Sequence, residues 1–393
     1  MSQSHSITCH FEAMDTWFFR EARPHGSVGS SELASVFPPP VRTLLGALRT
    51  LIGDSWFARH GGDWRGLKDN VALQAIIGFG DDLGPLRVSG PFLRLHGRRL
   101  HPAPANLMVK EQGGVDHYFL LDLSRPVRCD LGQVHLPAFP QRVAGLDELA
   151  GSKPAEGWLS DAGLQAVLEG RAPAATEVVS KEQLFTEEPR LGIGRDNSRN
   201  SVQEGLLYQT RHLRLQPGVT VELQLHGLSD PSLLPAQATL RLGGEGRMAG
   251  LRTESGSALG LPAVDLLSAT FVIYALTPLE CAGDLPAGVP AGFVRSRNLD
   301  ADVWEGRLGE LDLRLLSVAC QRPVREGGWD MASHQARPVR SLLAPGSVLY
   351  MQTRDGQVPA AAALQHALAS LSDASGRALL VAGRLSSNTS FQG

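Results

Sequence analysis

The residue types best suited to chemistry in this 393-residue chain are arginines that stand beside glycines. Only four of its 37 basic residues are lysines, and three stretches combine arginine with glycine: residues 190–199, 241–252 and 322–340. Guanidinium groups pair with phosphate and stack on bases, and glycine lets backbone N–H groups approach a phosphate. Trp329 adds a ring on which a base of a single strand can stack. The three stretches are therefore candidates for binding a polyanion.

The overall charge limits how such binding can work. The net charge is −3 at pH 7, which argues against a protein that coats nucleic acid by bulk charge. A local basic groove is the remaining possibility. Each stretch taken singly also fits an ordinary solvated loop, and the excess of arginine over lysine also fits codon bias in a GC-rich genome.

Catalytic patterns are sparse. The chain holds no G-x-x-x-x-G-K-[ST] and no G-x-S-x-G motif. The turn at residues 78–84 is followed by Pro85 instead of a helix, so it is not expected to bind a nucleotide. His212 is the best candidate for the general base of a metal-independent endoribonuclease, and its alternative interpretation is a surface histidine of a strand. Widely spaced cysteines and the absence of H-E-x-x-H predict neither a metal site nor a cofactor.

Strands and a few helices must position these stretches. Apolar residues at i, i+3, i+4, i+7, i+10 and i+11 predict a helix over residues 41–52 that ends at Gly53. We expect further helices at 157–170 and 360–371, and a strand at 73–77. Residues 190–199 are expected to form a loop that leads into a strand.

The order of these elements favours an α+β fold in two halves. A Gly/Ser/Pro-rich segment at 253–264 marks the expected boundary, and the second half reads as a degenerate copy of the first. Trp17, Phe18 and Phe19 are expected in the core or at a subunit interface. The chain shows no signal peptide and no apolar run long enough to span a membrane, so a soluble cytoplasmic protein without membrane contact is expected.

Short motifs in a fixed order resemble a known family. They are DTWFFREARP at 15–24, FPPP at 37–40, TLLGALR at 43–49, LGIGRD at 191–196, GLLY at 205–208, LGGEGR at 242–247, YALTP at 274–278, GGW at 327–329, RPVR at 337–340 and PGSV at 345–348. This ordered set resembles the family of the third subunit of the Cmr complex, the type III-B CRISPR RNA-silencing machine.

The resemblance implies a RAMP-superfamily protein of α+β class with two ferredoxin-like (RRM-like) domains. The first would cover 1–255, with insertions at about 55–190 and the glycine-rich loop, and the second 265–393. The family implies a non-catalytic subunit without cofactor that holds the 5′ tag of the CRISPR RNA. It also implies docking to the large polymerase-like Cmr subunit and to the backbone RAMP subunit.

Under this resemblance, the glycines let the backbone approach the RNA, and arginine and asparagine side chains contact its phosphates or bases. The expected RNA-binding residues in the three stretches are Arg195, Asn197, Arg199, Gly243, Gly244, Gly246, Arg247, Arg252, Arg337 and Arg340. Four further arginines extend that track or face a protein partner: Arg20, Arg23, Arg42 and Arg49.

Overall fold

The structure, a computed structural model, describes residues 6–22, 31–129, 132–196, 201–256, 259–280, 288–296, 303–330 and 334–386. In these ranges strands predominate and helices are few, which confirms the predicted α+β class. The α-helices are α1 (Val41–His60), α2 (Val71–Ile77), α3 (Asp161–Leu168) and α4 (Ala361–Ala369). Short 3-10 helices cover Trp64–Asp69, Ala175–Glu177, Lys181–Gln183 and Pro231–Leu233.

The strands follow one another along the chain as β1 (Ser6–Ala13), β2 (Ser31–Leu33), β3 (Arg87–Leu95), β4 (Arg98–Pro102), β5 (Leu107–Gln112), β6 (Val115–Leu120), β7 (Asp122–Leu123), β8 (Val127–Cys129), β9 (Gly132–Val134), β10 (Pro137–Ala138), β11 (Lys153–Pro154), β12 (Trp158–Leu159), β13 (Val178–Val179), β14 (Phe185–Asp196), β15 (Ser201–Leu215), β16 (Val219–His226), β17 (Gln237–Arg241), β18 (Met248–Ser255), β19 (Thr270–Ala275), β20 (Val294–Ser296), β21 (Val303–Leu308), β22 (Leu311–Ala319), β23 (Val324–Glu326), β24 (Trp329–Asp330), β25 (Gln335–Ala336), β26 (Arg340–Leu342), β27 (Val348–Thr353) and β28 (Leu380–Gly383).

Two large sheets hold half of these strands, one sheet in each half of the chain. The first has the order β13-β12-β4-β3-β16-β1-β18-β17, and the second has the order β20-β21-β22-β27-β19-β28. The central quartets, β3-β16-β1-β18 and β22-β27-β19-β28, are antiparallel throughout. If the four strands of each quartet are numbered in chain order, both quartets have the spatial order 2-3-1-4. The two halves therefore repeat one arrangement of strands.

Each half keeps one helical connection of this repeat. Helix α1 follows the first strand of the first quartet, and α4 follows the third strand of the second quartet. The apolar stripe of α1 is buried at Val41, Leu44, Leu48 and Ile52, as its spacing predicts. These side chains belong to the core of the first half, together with Trp17.

Helix α1 continues past its predicted end. It runs to His60, and Gly53 lies inside it, so the prediction that Gly53 ends the helix is wrong. A Cβ at position 53 would lie 2.3 Å from the Trp64 ring, so glycine here allows the ring to pack against the helix. Gly61, at φ +78°, follows the true end.

The strand predicted at 73–77 is wrong as well, because this segment is helix α2. Asn70 caps the helix by accepting a hydrogen bond from the Leu73 N–H at 3.0 Å. Leu73 and Ile77, four residues apart, are both buried. A short apolar run fits a strand and a buried helical turn equally well, so periodicity could not decide between them.

The aromatic segment after β1 is core, as predicted. Trp17 is fully buried, and Phe18 and Phe19 are almost fully buried. The Trp17 indole N–H donates to the Met248 carbonyl at 3.2 Å. The segment is therefore bonded to the start of β18, a strand of the same half. Among the described residues, no helix is both long and apolar enough to cross a bilayer.

Candidate nucleic-acid interface

A long two-stranded hairpin carries the first arginine–glycine stretch. Strands β14 and β15 pair antiparallel from Phe185↔Leu215 to Asp196↔Ser201, with a register shift between Ile193 and Arg195. The prediction of a loop over 190–199 is therefore wrong for residues 190–196, which are strand. The side chains of Leu191 and Ile193, two residues apart, are 74% and 56% exposed. One face of the hairpin thus presents apolar surface next to Arg190.

Three arginines converge on one carboxylate at the base of this hairpin. Nη2 of Arg190 lies 3.3 Å and Nη2 of Arg214 lies 3.1 Å from the carboxylate of Asp15. Nη1 of Arg247, in the second arginine–glycine stretch, lies 3.2 Å from the same group. Glu188 also pairs with Arg190 and Arg214, each at 2.7 Å. We call these five residues the Asp15 cluster.

Burial and hydrogen bonds act in opposite directions on the two carboxylates. Partial desolvation raises the pKa of Asp15, and the hydrogen bonds from Arg190 and Arg214 outweigh it, so that its pKa lies below the ordinary value. The hydrogen bonds from the same two arginines lower the pKa of Glu188. Both acids are therefore ionised at neutral pH, and the cluster holds three positive and two negative groups.

The glycine-rich turn between β17 and β18 lies beside the cluster. The Gly244 N–H donates to the Phe18 carbonyl at 2.8 Å. At Gly243, with φ +89°, a Cβ would lie 2.6 Å from that same oxygen. At Gly246, with φ +65°, a Cβ would meet nothing within 4 Å. Gly243 and Gly244 thus serve packing against the core, and Gly246 is the glycine whose surroundings are open to a ligand.

His212, on strand β15 of the hairpin, packs against the aromatic segment and is buried. Its ring stacks on Phe18 with centroids 5.2 Å apart, and its Nδ1 lies 3.2 Å from Thr16 Oγ1. Desolvation, with help from Arg247 and Arg190, lowers the pKa of His212 to about 4. The interpretation of His212 as a strand surface residue is wrong. Its burial and low basicity also do not suit a general base.

A second group of predicted arginines surrounds Asp81, in the turn after α2. Nη1 of Arg42, at the start of α1, lies 2.7 Å from the Asp81 carboxylate. Arg337, from the second half of the chain, donates to the same Asp81 oxygen and lies 3.3 Å from Asp330. Arg42 Nε also lies 3.5 Å from Glu326. We call this set the Asp81 cluster, and it joins the two halves.

The Asp81 cluster continues into the second half. Arg377 pairs with Glu326 and, at 3.5 Å, with Glu280. Arg340 pairs with Glu280 at 2.9 Å. A small polar cavity lies among these groups, lined by Arg42, Asp81, Glu326, Gly327, Arg337, Arg340 and Arg377. The buried Nε of Arg337 has no hydrogen-bond partner there.

Arg49 lies beside the Asp81 cluster, and the other predicted residues occupy separate positions. Arg49 donates to the Gly80 carbonyl at 3.0 Å, and burial lowers the pKa of its guanidinium. Arg252 pairs with Glu254 at 2.9 Å on β18. Arg20 is exposed and bridges Ser35 through the backbone. Arg195 is placed by its backbone pairing to Val202. Three predicted residues lie outside the described residues: Arg23, Asn197 and Arg199.

The structure thus brings only some of the predicted arginines together, Arg247 in the Asp15 cluster and Arg42, Arg337 and Arg340 in the Asp81 cluster and its extension. It also adds residues that sequence reasoning did not single out. Asp15 and Arg214 are the main omissions in the first cluster, and Asp81 in the second. Arg214 carried a weak signal, because it follows Thr210 and His212 at a spacing of two along a predicted strand and so shares their face. Within the described residues, no three His, Cys, Asp or Glu side chains gather as a metal site.

Comparison with known proteins agrees with the ordered motifs. A family model described as CRISPR-associated protein (Cas_Cmr3) matches residues 9–381, which is nearly the whole chain. The chain belongs to the Cmr3 family. The resemblance inferred from the motifs is therefore confirmed, and with it the assignment to the type III-B CRISPR effector subunits. No curated protein matches this Cmr3-family chain.

Solved structures from CRISPR complexes are similar at low identity. A chain of the type III-B Cmr-beta complex bound to cognate target RNA is 16% identical, with a TM-score of 0.45, over 88% of this chain and 86% of that chain. A chain of the Csm3–Csm4 subcomplex of the type III-A interference complex is 8% identical, with a TM-score of 0.37, over 88% of this chain and 92% of that chain.

Proposed function

We propose that this Cmr3-family chain is a non-catalytic, RNA-binding subunit of a type III-B Cmr complex. It holds the 5′ tag of the CRISPR RNA and docks to the large polymerase-like subunit and to a backbone RAMP subunit. The convergence of Arg190, Arg214 and Arg247 beside the open Gly246 is the observation that carries the RNA-binding part. Guanidinium groups and a side-chain-free turn are the two features that phosphate recognition uses most.

The repeated strand order supports the fold that goes with this function. We infer that each half, 1–255 and 265–393, is a ferredoxin-like (RRM-like) domain, whose pattern is β-α-β-β-α-β. In the first, the 3-10 turn at Pro231–Leu233 stands where the second helix is expected, and the main insertion lies between β3 and β16. In the second, α4 keeps the second helix. The insertion contributes the β14–β15 hairpin.

A salt-titrated binding assay tests the RNA-binding part. Arg190→Gln combined with Arg247→Gln should weaken binding to a single-stranded RNA that carries the tag. Because the slope of log K against log salt is about −0.7 per contacted phosphate of a single strand, loss of the one phosphate that this cluster would contact should flatten it by about 0.7. Arg65→Gln is the control, since Arg65 is exposed and pairs locally with Asp63. Unchanged affinity and slope in the double variant would place the RNA elsewhere.

The docking part needs a separate experiment. The chain should co-purify with the large polymerase-like subunit and a small RNA when the complex is expressed together. The alternative function, a metal-independent endoribonuclease, has no support from the position of His212. Cleavage of a CRISPR RNA precursor by the isolated chain, lost in His212→Ala, would overturn the non-catalytic assignment.

A further inference from the structure

Asp15 occupies an unusual position for a surface carboxylate. It lies in a bend after β1 and is half exposed, yet three guanidinium groups from three different segments lie within 3.3 Å of its oxygens. Arg190 and Arg214 have a second partner in Glu188. Arg247 has a buried Nε with no hydrogen-bond partner. The cluster therefore keeps donor capacity that Asp15 does not use.

A carboxylate and a phosphodiester offer such a cluster similar chemistry. Each presents two oxygens that share a single negative charge, and each accepts paired hydrogen bonds from a guanidinium. A single carboxylate does not require three guanidinium groups as partners. A site in which three guanidinium groups face one point matches a phosphate group better. A surface ion pair typically contributes only about 0–1 kcal/mol, so stability alone is a weak reason to assemble three of them.

We propose that Asp15 occupies, in the free protein, a binding site for one phosphate group of the RNA backbone, and that the RNA displaces it. This inference rests on the proposed RNA-binding function and adds that a carboxylate of the protein itself competes with the RNA for the site. Displacement involves the half-exposed Asp15 side chain and leaves the neighbouring backbone in place, because Thr16 and Trp17 are fully buried. Glu188 remains to orient Arg190 and Arg214 after Asp15 has left.

Competition and anchoring predict opposite effects of removing the charge. If Asp15 competes with the RNA, then the apparent affinity is reduced by the fraction of molecules whose site is free. A site that is free in about one tenth of the molecules binds about tenfold more weakly than one that is always free. If Asp15 instead serves only to hold the arginines in place, its removal disorders them and weakens binding.

The test compares Asp15→Asn with a matched control, Asp312→Asn. Asp312 is likewise about half exposed and lies 3.2 Å from one guanidinium, that of Arg307, in the other half of the chain. Both variants raise the net charge by one. Binding of a fluorescent single-stranded RNA with the tag sequence is measured by anisotropy at about 50 mM and about 200 mM salt, two conditions between which phosphate contacts weaken strongly. Asp15→Ser, with the same assay, separates the lost charge from any effect of the asparagine amide.

We expect Asp15→Asn and Asp15→Ser to bind the RNA about five- to tenfold more tightly than wild type, a change of about 1.0–1.4 kcal/mol. Asp312→Asn should change affinity less than twofold. Arg247→Gln should abolish the gain, so that Asp15→Asn/Arg247→Gln binds no better than Arg247→Gln alone. Equal or weaker binding by both Asp15 variants, in a wild-type protein that binds RNA and loses affinity on Arg247→Gln, would overturn the inference and leave the proposed function standing. A wild-type chain that binds no RNA would overturn both.

Discussion

Substitution of Gly243 by alanine should destabilise the protein far more than the same substitution at Gly246. Both glycines have positive φ, +89° and +65°, so an alanine at either position adopts a backbone conformation that costs roughly 1–2 kcal/mol. The difference lies in the surroundings. A Cβ at position 243 would lie 2.6 Å from the Phe18 carbonyl oxygen, whereas a Cβ at position 246 would meet nothing within 4 Å.

The additional cost at position 243 follows from that contact. The Phe18 oxygen is backbone and accepts the hydrogen bond from the Gly244 N–H at 2.8 Å, so it cannot move aside without weakening that bond. A hydrogen bond contributes about 1 kcal/mol net, and displacement of the turn also disturbs the packing of Phe18. We therefore expect Gly243→Ala to cost about 2–4 kcal/mol and Gly246→Ala about 1 kcal/mol.

Urea unfolding followed by tryptophan fluorescence measures the difference, because Trp17 is fully buried next to this turn. RNA binding is the second measurement. Gly246→Ala should fold normally and bind RNA more weakly, since its methyl group would occupy the open side of the turn. Equal stability of the two variants would refute the assignment of Gly243 to packing. Unchanged RNA affinity in Gly246→Ala would refute the close approach of RNA to this turn.

Three further outcomes follow from buried or paired charges. Since the pKa of His212 is lowered in the folded state, the unfolded chain takes up the proton first, and the free energy of unfolding should fall as the pH drops from about 6.5 to about 4. In a urea-unfolding pH series, His212→Gln should flatten this decrease more than His226→Gln does. Arg337→Ala and Asp81→Ala should each reduce the free energy of unfolding, and the double-mutant cycle should give a coupling energy of about 1 kcal/mol. Additive effects would mean that the ion pair between the halves contributes nothing. The fully buried carboxylate of Glu222, on β16, pairs with Arg94 at 2.5 Å and with Arg99 at 2.6 Å. Glu222→Gln leaves both arginines without this balancing charge and should lower the free energy of unfolding in urea by about 3 kcal/mol. A cost below about 1 kcal/mol would contradict that reasoning.

Local patterns predicted the parts of this fold that depend on local physics. The apolar stripe of α1 and the burial of Trp17 follow from side-chain spacing and hydrophobicity, and both are confirmed. The failures have a common cause. Gly53 lies inside α1, where the Trp64 ring packs on it, and a contact between residues eleven positions apart is not visible as a periodicity.

The hairpin illustrates the same limit over a longer distance. Glycines at 192 and 194 and the polar residues that follow favour a loop by composition. Pairing of β14 with β15 decides the outcome, because the second strand supplies hydrogen-bond partners for the whole segment. Sequence reasoning therefore singled out the stretch as a candidate and assigned residues 190–196 the wrong secondary structure.

Acidic partners were the hardest feature of the site to predict. Asp15 is 232 residues from Arg247, and Asp81 is 256 residues from Arg337. Counting arginines in a stretch gives the number of cations, whereas the field that a phosphate meets depends on which carboxylates the fold brings beside them. In both clusters an aspartate accepts the charge of two or more arginines. Under the proposed function, binding of RNA at the Asp15 cluster is an exchange of one anion for another, and its strength depends on the difference between carboxylate and phosphate as partners for the same guanidinium groups.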